Sequence, residues 1–177
     1  MLKNAQGCVT LERMNREPAP EGIDTNGDGR LTLAEMKAFD KKLGAGGDFA
    51  RVYVMAHEYG HHVQNLVGTS DKVTRAQRSN PSAANPLSVR LELQADCYAG
   101  VWVGDANRRN LLDSPNEIQE AIKAAEGVGD DRIQEKTQGR IDPESWTHGS
   151  AEQRRTWFLK GFNTIDPTTC DTFRDVL

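Results

Sequence analysis

The stretch His57-Glu58-Tyr59-Gly60-His61 contains the residues of this 177-residue chain that are best suited to chemistry. If the stretch is helical, His57 and His61 project from the same face, because they lie four residues apart. Two neutral imidazoles on one face can bind a single Zn²⁺ ion. Glu58 lies about 100° further round the helix, where its carboxylate can act as a general base on a zinc-activated water. A polar, histidine-rich helix surface is the alternative interpretation.

A catalytic zinc ion usually has three protein ligands, and the third is predicted in residues 90–100. Glu92 and Asp96 are four residues apart there, so they share a face of a second predicted helix. Buried acids need partners. We therefore expect Glu92 to be the third zinc ligand and Asp96 to accept the N–H of a ligand imidazole. An exposed acidic pair bridged to Arg90 is the alternative.

The helix that carries the two histidines is predicted to begin at Asp48, as N-cap, and to stop before Gly68. Gly60 lies inside this helix, where glycine costs up to about 1 kcal/mol relative to alanine. We therefore expect a neighbouring element to pack very close to Gly60. Residues at three- and four-residue spacing predict the core face of this helix; they are Val52, Met55, Tyr59, His62, Val63 and Leu66.

The rest of the chain predicts a mainly α fold with little β structure. Residues 69–86 are polar and contain two prolines, which favours a loop, and residues 128–147 are expected to be irregular. Capping boxes predict that one helix begins at Ser114 and another at Ser150. The chain has no internal repeat. An edge strand that could align a substrate is not evident.

Residues 24–35 match the calcium-binding loop of an EF-hand position by position. The six residues predicted to supply oxygen ligands are Asp24, Asn26, Asp28, Arg30 through its carbonyl, Thr32 and Glu35. A solvated turn rich in Asp, Asn and Gly is the alternative. Because no second loop is present to pair with it, the loop favours a structural Ca²⁺ ion over a calcium sensor. We predict an N-terminal segment at 1–45, comprising this loop and a following helix, and a second domain at 46–177.

Several segments together resemble the bacterial neutral zinc metallopeptidase family. They are GDFA (47–50), HEYGHHVQNL (57–66), RLELQADC (90–97), THGSAEQR (147–154) and CDTF (170–173). The resemblance implies a compact, zincin-like helical domain with a gluzincin-like site, in which His57, His61 and Glu92 bind zinc and Glu58 is catalytic. It also favours placing His148 near the metal as an oxyanion donor, whereas a surface histidine before a helix is the alternative.

The composition excludes some classes of partner. The net charge is -4 and the pI is near 5.6, and the absence of a basic patch argues against nucleic-acid binding. No apolar run approaches membrane-spanning length, and no signal-peptide pattern follows Met1.

The three cysteines are Cys8, Cys97 and Cys170. We expect a Cys97–Cys170 disulfide with Cys8 as the odd thiol, although buried thiols are the alternative. The family resemblance and the possible disulfide suggest an extracytoplasmic or secreted protein. The oligomeric state is left open.

Zinc-dependent hydrolysis of peptide bonds in a peptide or protein substrate is the leading functional hypothesis. Its rival is a non-catalytic binding or scaffold protein stabilised by zinc and calcium. Glu58 discriminates between the two, because a structural zinc site has no use for that carboxylate and is closed by a fourth ligand. Hydrolysis of a non-peptide amide is a third possibility.

Overall fold

The computed structural model describes residues 48–174, and this part of the chain contains helices and no strand. The six α-helices are α1 (Asp48–Leu66), α2 (Thr69–Ser79), α3 (Ala84–Arg108), α4 (Pro115–Gly127), α5 (Asp130–Gln138) and α6 (Ala151–Thr164). Short 3₁₀ turns occupy Pro81–Ala83, Pro143–Ser145 and Pro167–Cys170. The predicted mainly α fold is confirmed. The calcium loop at 24–35, the boundary at residue 45 and Cys8 lie outside the described residues.

The long helix α3 lies at the centre and packs against α1 on one side and α6 on the other. Glycines allow both approaches. A Cβ added at Gly60 would lie 3.0 Å from the Cα of Ala95, which confirms the predicted close neighbour of Gly60. A Cβ added at Gly161 on α6 would lie 1.9 Å from the carbonyl oxygen of Cys97, so any side chain there would separate α3 from α6.

The predicted core face of α1 is wrong. Met55, Tyr59 and Leu66 are 67%, 65% and 71% exposed, respectively, and His62 is exposed as well. The residues that α1 buries are Phe49, Ala50, Tyr53, His57, Gly60 and Gln64. Hydrophobic periodicity indicated the other face because this buried face carries polar groups whose hydrogen bonds are satisfied by other helices.

Two segments predicted to be irregular are helical. Helix α2 lies within the predicted loop at 69–86, and its polar side chains face solvent while Val73 packs against Leu87 and Phe173. The prolines that suggested a loop occupy a 3₁₀ turn and the first turn of α3, where proline is tolerated. Helix α5 is short and polar, and its C-cap is Gly139, whose φ is 67°.

The predicted helix starts and the predicted disulfide are present. Ser114 caps α4 by accepting the N–H of Asn116. Ser150 and Gln153 form the complete capping box of α6. A disulfide joins Cys97 in α3 to Cys170, so the segment after α6 is tied to the central helix.

None of the described helices combines the length and the apolar character that a membrane crossing requires.

Candidate metal centre

Three side chains from two helices converge where α1 crosses α3. His57 and His61 lie on α1, and Glu92 lies on α3. His57 Nε2 is 3.1 Å from His61 Nε2 and 3.1 Å from Glu92 Oε2, and His61 Nε2 is 3.3 Å from Glu92 Oε1. Zinc bonds of about 2.0–2.2 Å in a tetrahedral arrangement place ligand atoms roughly 3.3–3.6 Å apart. The three groups therefore have nearly the separations that one zinc ion needs.

The outer hydrogen bonds of the two imidazoles fix which ring nitrogen carries the proton. His57 Nδ1 lies 2.8 Å from Asp96 Oδ1, and His61 Nδ1 lies 2.8 Å from Gln64 Oε1. The amide nitrogen of Gln64 already donates to the carbonyl oxygen of Leu91, so its oxygen must face His61. Both Nδ1 atoms are then donors, and both Nε2 lone pairs point at Glu92. Two lone pairs and a carboxylate that meet at one point favour a cation there.

Asp96 is the centre of a buried hydrogen-bond network behind His57. Asp96 is 0% exposed and Arg154 on α6 is 3% exposed. Arg154 Nε donates to Asp96 Oδ2 at 2.8 Å, and an Nη of Arg154 donates to Oδ1 at 3.1 Å. The hydroxyl of Tyr53 also donates to Asp96 Oδ1. Helices α1, α3 and α6 are thus joined through one carboxylate.

The charges of this cluster favour an additional positive charge. Glu92 and Asp96 contribute two negative charges, whereas Arg154 contributes one positive charge. Burial alone would lower the pKa of His57, but Asp96 and Glu92 outweigh it and raise that pKa to about 9. Burial would likewise raise the pKa of Glu92, but hydrogen bonds from His57 and His61 hold it well below its usual value. A proton or a metal cation can supply the missing charge.

Glu58 follows His57 on α1 and is exposed to solvent. The side chain of Glu58 points about 100° away from that of His57 and about 60° away from that of His61 around the helix axis. Glu58 is therefore not part of the set formed by His57, His61 and Glu92. That set is the one group of at least three His, Cys, Asp or Glu side chains within residues 48–174 whose geometry suits a metal ion.

His148 is held by a second carboxylate, that of Asp130 at the start of α5. Asp130 Oδ2 accepts the backbone N–H groups of Thr147, His148 and Gly149 at 2.8, 2.7 and 3.1 Å. Asp130 Oδ1 lies 3.1 Å from His148 Nδ1, which leaves Nε2 of His148 for another partner. The hydrogen bond to Asp130 raises the pKa of His148, although burial opposes it, and the charge of Glu92 raises it further.

Sequence reasoning did not single out Tyr53, Gln64, Asp130 or Arg154 as site residues. Arg154 lies in the segment at 147–154 that carries the family resemblance. The resemblance did not indicate that this arginine binds Asp96. Asp130 lies in a stretch predicted to be irregular. Its three backbone hydrogen bonds depend on the loop conformation, which a sequence pattern does not give.

The chain belongs to the family described as "Putative neutral zinc metallopeptidase", which matches residues 26–173. It is 51% identical over 133 residues to "Uncharacterized protein YpfJ" of Escherichia coli, and the match covers 75% of this chain and 46% of that relative. It is 53% identical over 138 residues to "Uncharacterized protein Rv2575" of Mycobacterium tuberculosis, covering 73% and 46%. The chain thus spans about half the length of these curated relatives. No solved structure matches it.

Proposed function

We propose that this protein is a zinc-dependent peptidase with a gluzincin-like site. The observation that carries the proposal is the convergence of His57, His61 and Glu92, with Glu58 next to His57 on the same helix. Two imidazoles and one carboxylate are the ligand set of known zinc peptidases, which leave one metal position open. The family description supports zinc binding and peptide hydrolysis.

A zinc ion bound by these three residues would polarise the scissile carbonyl group and lower the pKa of a water molecule to about 7. Glu58 would accept the proton of the attacking water and pass it to the leaving amine. His148 would donate a hydrogen bond through Nε2 to the developing oxyanion. Asp130 positions His148 by holding Nδ1 and the surrounding backbone. Asp96, held by Arg154, fixes the tautomer of His57.

Glu92→Ala tests the metal site. We expect purified parent protein to hold one zinc ion per chain and to hydrolyse casein, and we expect chelation to remove both properties. Added zinc should restore hydrolysis in the parent but not in Glu92→Ala, whose zinc content should fall sharply, because two imidazoles alone bind zinc less tightly. Asp105→Ala is the matched control, since Asp105 is a half-exposed acid on the same helix whose partners are Arg108 and Arg109.

Unchanged zinc stoichiometry and affinity in Glu92→Ala would contradict the ligand assignment. A parent protein that binds zinc firmly but cleaves neither casein nor a peptide library would support the non-catalytic binding or scaffold protein instead.

We also propose that the loop at 24–35 binds a structural Ca²⁺ ion, on the strength of its sequence alone. An ion that binds only the folded protein adds about 2.7 kcal/mol of stability at 100 times its Kd. Millimolar calcium should therefore raise the melting temperature. The double variant Asp24→Ala/Glu35→Gln should lose this rise while its zinc content stays unchanged. An equal rise in both proteins would show that the loop is only a turn.

A further inference from the structure

An open groove of about 530 Å³ lies on the surface formed by α3, α6 and the segment between α5 and α6. Its apolar lining residues are Trp146, Trp157, Val89, Leu93, Pro86 and Pro143. The volume falls within the range of about 300–1,000 Å³ that is usual for small-ligand sites. None of these residues has a role in the proposed mechanism.

Each of the three elements carries a groove residue that is close in sequence to Glu92, Arg154 or His148. On α3, Leu93 follows Glu92, and Val89 lies one turn before Glu92 and about 60° around the helix axis from it. On α6, Gln153 lines the groove and precedes Arg154. In the segment between α5 and α6, Trp146 lies two residues before His148. The groove residues are thus close in sequence to residues of the proposed catalytic site, and Leu93 is the next residue of α3 after Glu92.

Gly149 shows how closely the His148 segment lies against the groove wall. A Cβ added at Gly149 would lie 3.2 Å from Val89 Cγ1 and 3.4 Å from Leu93 Cδ2. The φ of Gly149 is +89°, which side-chain-bearing residues rarely adopt. The backbone next to His148 thus packs directly on two of the apolar lining residues.

Six of the eleven lining residues are apolar, and the polar ones are Asn85, Arg90, Glu144, Gln153 and Thr172. The indole N–H of Trp146 donates to Gln134 Oε1 at 3.2 Å, so its polar atom has a partner and its ring is held. The guanidinium of Arg90, which also lines the groove, donates to the carbonyl oxygen of Thr172. Tryptophan rings beside aliphatic side chains form the kind of surface that binds a large apolar group.

We propose that this groove is the specificity subsite of the enzyme and binds a large apolar side chain, leucine or an aromatic residue, of the peptide substrate next to the bond that is cleaved. This inference rests on the proposed peptidase function. The occupant is a side chain of an extended peptide, since the groove begins within one helical turn of Glu92 and consecutive residues of an extended chain are about 3.3 Å apart.

Hydrolysis of a peptide library tests the preference. The parent protein should favour leucine or phenylalanine over aspartate at one position beside the cleaved bond by roughly 10- to 200-fold in kcat/KM. Trp146→Ala, which removes one wall, should reduce this preference at least tenfold. Val89→Phe, which fills the groove, should shift it towards small side chains. Trp102→Ala is the control, because Trp102 is an exposed tryptophan on α3 outside the groove, and its profile should match that of the parent.

Binding without turnover separates the subsite from the peptidase activity. In Glu58→Gln/Trp102→Phe protein, the two groove tryptophans are the only ones left. A hexapeptide with central leucine should change their fluorescence saturably. Its Kd should be at least ten times lower than that of a hexapeptide with central aspartate. Equal responses, or none, would overturn the subsite even if the parent hydrolyses peptides. A selective response in a protein that hydrolyses nothing would support the groove as a peptide site and reject the proposed function.

Discussion

At the residue scale, the site depends on which atoms carry protons as much as on which residues are present. The sequence places His57 and His61 on one helix face, but it does not specify their tautomers. The structure does so through Asp96 and Gln64, each of which accepts an Nδ1–H at 2.8 Å. Replacing either acceptor would change the orientation of an imidazole without removing one of the proposed zinc ligands.

The Asp130–His148 pair gives a prediction about pH. The pKa of His148 is raised in the folded protein, so its protonated form adds stability that is complete below the unfolded pKa of about 6.5 and is lost as pH rises through the folded value. If protonated His148 is the oxyanion donor, activity falls over the same range. Asp130→Asn keeps an acceptor for the backbone N–H groups but removes the charge that holds the proton. The alkaline limb of the kcat/KM profile should therefore move to lower pH.

Asp131→Asn is the matched control for this measurement. Asp131 is the next residue of α5 and accepts the N–H of Ala151, not a group of His148. Its alkaline limb should stay where that of the parent lies. If Asp130→Asn also leaves the limb in place, the proton that controls activity is not on His148.

At the scale of the elements, α1, α3 and α6 hold the site rigid because one buried ion pair joins them. Arg154 on α6 binds Asp96 on α3 through two hydrogen bonds and also donates to Tyr53 on α1. Breaking a buried pair by removing one partner leaves an uncompensated charge, which typically costs about 3–5 kcal/mol. Removing an exposed pair costs at most about 1 kcal/mol.

Arg154→Met should therefore lower the free energy of unfolding by about 3–5 kcal/mol in a denaturant titration of zinc-loaded protein. Arg155→Met is the control: Arg155 is 49% exposed and pairs with Glu126 at 3.2 Å, so its loss should cost less than about 1 kcal/mol. Similar losses in the two variants would mean that Arg154 is not a structural tie between the helices.

The sequence predicted most helix positions, but it did not predict which face of α1 is buried. Capping residues located α4 and α6 correctly, since their signals are local. The core face of α1 was predicted wrongly, because Met55, Tyr59 and Leu66 are exposed whereas His57 and Gln64 are buried. Hydrophobic periodicity fails where a site requires polar residues on the buried side. The roles of Arg154 and Asp130 could not be predicted, since both depend on contacts between distant segments.

At the scale of the whole molecule, one disulfide ties the segment after α6 to the central helix α3. The Cys97–Cys170 bridge closes a loop that contains α4, α5 and α6, and thus holds both Asp130 and Arg154. Closing a loop of this length removes conformational entropy from the unfolded chain worth about 4 kcal/mol. The curated relatives are about twice as long as the part that matches this chain.

We propose that Glu58 serves as the general base for hydrolysis without binding the metal. The most direct measurement is casein hydrolysis by Glu58→Gln, with its zinc content matched to that of the parent. We predict one zinc ion per chain in both proteins and a rate about 10²–10⁴ times lower in the variant, since glutamine keeps the shape and loses the base. Hydrolysis by Glu58→Gln at the parent rate, with zinc bound, would contradict this account.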